Sequence, residues 1–140
     1  MTPSPSRQLG LVALAFLFTP ASASEPANQC DDPQTQQAMN MCAARDFEAS
    51  DAALNEQWAE TVAVQKARDE DVDREYDRQP GYYETLLEGQ RLWLKFRDAQ
   101  CLSESFMARG GSMQPMLHAF CMTHLTELRI QQLRDLTREN

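Results

Sequence analysis

Two histidines, His118 and His124, and four cysteines, Cys30, Cys42, Cys101 and Cys121, are the side chains of this 140-residue chain best suited to hold a metal or attack a substrate. Their spacing argues against both roles. His118 and His124 stand six positions apart, on different faces of a helix, whereas two helical ligands meet at i, i+3 or i+4. His118 and Cys121 do have that spacing, but Cys121 has a better partner in another cysteine. No serine sits in a glycine elbow that would expose it as a nucleophile. The acidic pairs, Asp31-Asp32 and Asp69-Glu70-Asp71, lie in irregular or charge-rich segments. Nothing there buries one carboxylate enough to separate its pKa from the other's, as acid–base catalysis requires. The sequence therefore predicts no catalytic residue, no metal site, no cofactor and no enzyme.

The stretch GQRLWLKFRDAQC, Gly89 to Cys101, gathers Arg91, Lys95 and Arg97 around Trp93 and Phe96 in an otherwise acidic chain. Aromatic residues at helical spacing usually face a core. On that reading Trp93 is interior, Arg97 bridges to an acid on a neighbouring helix, and Asp98 is its solvated companion. Arg91 and Lys95 then flank the edge. A binding face remains open at the exposed positions. Asn40, Asp51 and Asn55, on the preceding helix, read as surface or helix-bridging polar residues before they read as a ligand site.

The elements that carry these residues are helical throughout. Met39, Ala43, Phe47, Leu54, Trp58 and Val62 form one amphipathic stripe. KARDEDVDREYDRQ, Lys66 to Gln79, has almost nothing to bury, so it is a solvated helical extension or a mobile loop, ended by Pro80-Gly81. A second helix spans roughly Tyr83 to Met107, with Leu86, Gln90, Trp93, Arg97 and Cys101 along one edge and Leu92, Phe96 and Ala99 beside it. Arg109-Gly110-Gly111-Ser112 breaks the chain, with glycine to end one helix and serine to cap the next. Pro115 suits the first turn of a third helix, whose stripe is Leu117, Cys121, Leu125, Leu128 and Leu136. The expected architecture is all-α: a small antiparallel bundle of about three long helices, stapled by two disulfides.

The glycine turn also selects the cysteine pairing. Cys101 lies ten residues before Gly111 and Cys121 ten after it, so both rise to about 15 Å from a turn folded there. The same count brings Trp93 and Arg97 opposite Arg129 and Leu125. Cys30 and Cys42 then pair by elimination, through a non-helical lead-in that folds back along the first helix.

Residues 1–23 have the features of a secretory signal: Arg7, an apolar run from Leu9 to Phe18, Pro20, then Ala21-Ser22-Ala23. The run is too short to span a bilayer, and Cys30 lies too far beyond it for a lipid anchor. Cleavage near Ala23 leaves residues 24–140 as a single domain, periplasmic or secreted, where disulfides persist. Removal of the signal takes away Arg7 and no acid, moving the net charge from −8 to −9. Such a surface disfavours nucleic acid and anionic lipid and attracts basic partners.

MNMCAARDFEASDAALN (Met39 to Asn55), QRLWLKFRDAQC (Gln90 to Cys101), the GGS turn and CMTHLTELRIQQL (Cys121 to Leu133) together resemble the lysozyme inhibitor LprI-like family. The match takes in Asn40, Asp51, Asn55, Arg91, Trp93, Arg97, Asp98, Gly110, Gly111 and Arg129 as family-motif structural or binding positions. The resemblance implies a small exported helical protein that binds and blocks a basic lytic enzyme such as lysozyme. The blocking element is expected at the Gly110-Gly111 turn or in the acidic segment Asp69 to Asp77. The alternative is a non-enzymatic periplasmic interaction or envelope-stress module with another protein partner.

Overall fold

A computed structural model describes residues 30–138; the signal-like segment 1–23 lies outside them. Three helices follow in order: α1 (Gln36–Glu70), α2 (Tyr82–Ser105) and α3 (Gln114–Asp135), with a 3-10 turn at Phe106–Ala108 extending α2. The described residues contain no strand. The helices run up, down and up: Gln36 reaches Met116 at one end, and Thr61 reaches Leu133 toward the other. α1 and α3 are therefore parallel, with α2 antiparallel to both. α1 packs most extensively on α3, and α2 bridges the pair.

The expected pairing holds. Cys101–Cys121 joins α2 to α3, and Cys30–Cys42 folds the lead-in onto α1. Thr35 opens α1 by accepting the Ala38 amide on its hydroxyl. α1 then runs straight through Lys66 to Glu70, so the charged stretch begins as helix and becomes a turn-rich loop only from Asp71 to Gly81.

The core is split in two. Leu54, Leu86 and Leu133, with Trp58, Val62, Trp93 and Ile130 packed around them, fill the half toward the 71–81 loop. Cys101, Cys121 and Met122, with Phe47 and Leu125, fill the half toward the α2–α3 turn. The expected edge of α2 is the buried one, from Leu86 through Gln90 and Arg97 to Cys101. Three expectations fail. Leu92 and Phe96, beside that edge, and Leu128 and Leu136 on α3 are exposed. Ser112 does not cap α3: Met113 holds the cap position and makes no side-chain cap bond. The interior face of α1 is largely polar, with Ser50, Gln57, Thr61 and Gln65 all buried.

Candidate functional site

Arg97 is the centre from which the middle of the bundle is organised. Its side chain is 8% exposed. Nη1 donates to Asp51 Oδ1 on α1 at 2.9 Å and to Thr126 Oγ1 on α3 at 3.1 Å, while Nε donates to Asp98 Oδ1 at 3.2 Å. The guanidinium lies over Phe47 at 5.3 Å and Trp93 at 5.2 Å, and Trp93 also receives Arg129 at 5.8 Å. Ring and cation thus alternate across all three helices: Phe47, Arg97, Trp93, Arg129. A buried cation is costly unless paired, and these carboxylates and π faces compensate it. Arg129 donates from Nε to Gln90 Oε1 at 2.8 Å and from Nη1 to Gln132 Oε1 at 3.1 Å. Burial lowers its pKa from the ordinary value.

The chemistry of this cluster is that of a scaffold. Asp51 and Asp98 both bind the Arg97 guanidinium and hold it between α1 and α2. No group of His, Cys, Asp and Glu among the described residues is arranged to hold a metal.

The structure brings together Asp51, Trp93, Arg97, Asp98 and Arg129. Asn55 is exposed beside them, on a cleft of about 290 Å³ shared with Asp51, Trp58, Gln90, Leu94 and Arg97. Arg91 stands apart, exposed near Glu84, Leu87 and Glu88.

Asn40 belongs to the far end of the molecule. It accepts from Gln36 Nε2 at 2.8 Å and donates from Nδ2 to the Ser112 carbonyl at 2.9 Å, which ties α1 to the α2–α3 turn. Within that turn Gly110 adopts φ +77°, the left-handed region that glycine enters without strain. Gly111 donates its amide to Ala108 O at 2.8 Å, and a Cβ there would lie 3.1 Å from the same oxygen. Both disulfides sit at this end. The acidic segment sits at the other, separated by the 24 residues of α2, about 36 Å at helical rise. The two expected blocking elements therefore cannot occupy one cleft together.

Sequence reasoning missed the polar interior of α1 and what it does. The Thr61 hydroxyl shares its proton between Gln57 O at 2.8 Å and Leu133 O at 3.2 Å, Gln65 Nε2 donates to Leu136 O at 3.1 Å, and Arg68 Nη1 to Leu136 O at 3.0 Å. Residues spaced i, i+4 and i+7 on α1 thus reach carbonyls at the end of α3, where helical partners run out, although the Leu136 amide also donates to Leu133 O at 3.2 Å. The signal was a polar stripe at helical spacing, hidden because apolar periodicity is what locates a core.

Fold and site define a three-helix, two-disulfide scaffold held by a ring–cation ladder centred on the buried Arg97. The chain belongs to the lysozyme inhibitor LprI family, whose model matches residues 27–133. It is also similar to an uncharacterized protein of Rhizobium meliloti (strain 1021), 40% identical over 130 residues that cover 89% of this chain and 91% of that relative. No solved structure matches it.

Proposed function

We propose that this protein is an exported, single-domain inhibitor that binds a basic lysozyme in the bacterial envelope and blocks it without chemistry of its own. The observation that carries this reading is the family match over residues 27–133. Two features support it. All four cysteines are bonded, as suits an oxidising compartment beyond the inner membrane. The net charge of −8 draws in a basic enzyme and raises the association rate at low salt.

The test is a titration of the oxidised protein, residues 24–140, into a lytic assay with animal-type lysozyme at two salt concentrations. Inhibition near stoichiometry, weaker at high salt, is the expected result. Absence of inhibition by folded, disulfide-bonded protein overturns the proposal. Capture of a different partner from periplasmic extract would then favour the interaction-module reading.

A further inference from the structure

The α2–α3 turn exposes three large apolar side chains at the end that the disulfides hold. Met107 is 89% exposed, and Phe106 and Met113 stand in solvent beside it. A soluble protein rarely leaves such residues grouped at a protruding tip unless they meet a partner. Arg109 lies among them, its guanidinium 4.5 Å over the Phe106 ring. Among the described residues no carboxylate pairs with Arg109.

The tip is also held in shape. Arg109 donates its amide to Phe106 O, Gly111 to Ala108 O and Gly110 to Gln114 Oε1. Asn40 ties Ser112 to α1, and Cys101–Cys121 closes the base. A preorganised element loses little entropy when it docks.

We propose that this tip is the element that enters the catalytic cleft of the lysozyme, a reading that rests on the inhibitory function proposed above. A glycoside hydrolase cleft is flanked by two carboxyl groups. Arg109 supplies a cation at the tip and pairs with them, since a guanidinium forks onto carboxylate oxygens. Met107, Phe106 and Met113 cover the surfaces where sugar rings would lie. The acidic body then meets the basic rim of the enzyme. The loop at 71–81 exposes one large ring, Tyr76, among charged side chains, and its position about 36 Å away excludes it from the same contact.

The experiment measures binding and lysis with the wild-type chain and with Arg109→Glu and Met107→Asp. Both side chains are exposed, so circular dichroism and Tm should stay unchanged. Each variant should weaken inhibition roughly tenfold or more, as a central interface residue does. The Arg109→Glu effect should shrink against a lysozyme whose catalytic glutamate is replaced by glutamine. A soluble N-acetylglucosamine oligomer should compete with the wild-type protein. If the wild type inhibits and both variants inhibit equally well, the tip is not the element, although inhibition stands. If the wild type does not bind lysozyme, both readings fall.

Discussion

The carboxylate of Asp69, at the end of α1, accepts the backbone amide of Tyr83 at 2.9 Å, and its other oxygen accepts that of Tyr82 at 2.7 Å. α2 begins after Gly81, which has no side chain to cap it. A residue from another helix supplies the missing acceptor, at an end where the helix dipole also favours negative charge. Glycine at 81 is what lets the carboxylate approach, since a Cβ there would lie 3.0 Å from Asp69 Oδ1.

These hydrogen bonds, the Tyr83 amide foremost, hold the Asp69 pKa below its ordinary 3.8. A depressed carboxylate pKa stabilises the fold above the unfolded-state value, and the contribution is lost as pH falls through the folded-state one. Asp69→Ala should therefore lower Tm at pH 7, and that deficit should shrink as pH falls below 3.8. Thermal melts of both proteins across that range measure it. Gly81→Ala should act on the same cap, so the double variant should be less destabilised than the two singles combined. A constant deficit across pH would refute the linkage.

Arg97→Ala removes the shared partner of Asp51, Asp98, Thr126, Phe47 and Trp93. Loss of packing and of the buried hydrogen bonds should cost about 2–4 kcal/mol. Arg97→Lys should recover only part of this, because an ammonium neither spans the acceptors nor stacks as a planar group. Urea unfolding of the two variants reads the difference, and equal stabilities would show that charge alone matters.

Gly89→Ala should stabilise the protein by up to about 1 kcal/mol. Gly89 is exposed within α2, and a Cβ there meets nothing within 4 Å. It opens the floor of a groove of about 680 Å³ bounded by Tyr82, Leu86, Arg129 and Leu136. A loss of stability in chemical denaturation would mean that the groove closes in solution.

Neutralising Asp71, Asp73, Glu75 and Asp77 together should leave inhibition of lysozyme at about 0.15 M salt within a few-fold of wild type. Over the roughly 36 Å to the tip, charge is screened with a decay length of about 8 Å. The association rate at low salt should fall modestly. A large loss of affinity at physiological salt would move the binding surface to the loop.

What the sequence made legible was whatever followed apolar spacing and chain reach. The edge of α2 from Leu86 to Cys101 is buried as its period implies, and counting from Gly111 aligned Cys101 with Cys121. Arg97 was expected to bridge to an acid, and Asp51 is that acid. Exposure of Leu128 and Leu136 was not legible, because a three-helix bundle of this size buries only a narrow strip of each helix. Nor were Gln57, Thr61 and Gln65 as interior residues. Their burial depends on which backbone carbonyls α3 presents, a fact of tertiary structure. The same holds for Asp69, whose capped amides lie on another helix.

The placement of both disulfides at one end has a kinetic consequence. The turn end is crosslinked covalently, while the opposite end is closed by hydrogen bonds that Thr61, Gln65 and Arg68 donate and Asp69 accepts. Local opening should therefore start at the uncrosslinked end, around Asp71 to Gly81, and travel toward the cysteines. Amide hydrogen exchange would register it as a gradient of protection along α2, fastest near Tyr82 and slowest near Cys101. A protease would nick the loop long before the tip loses its shape.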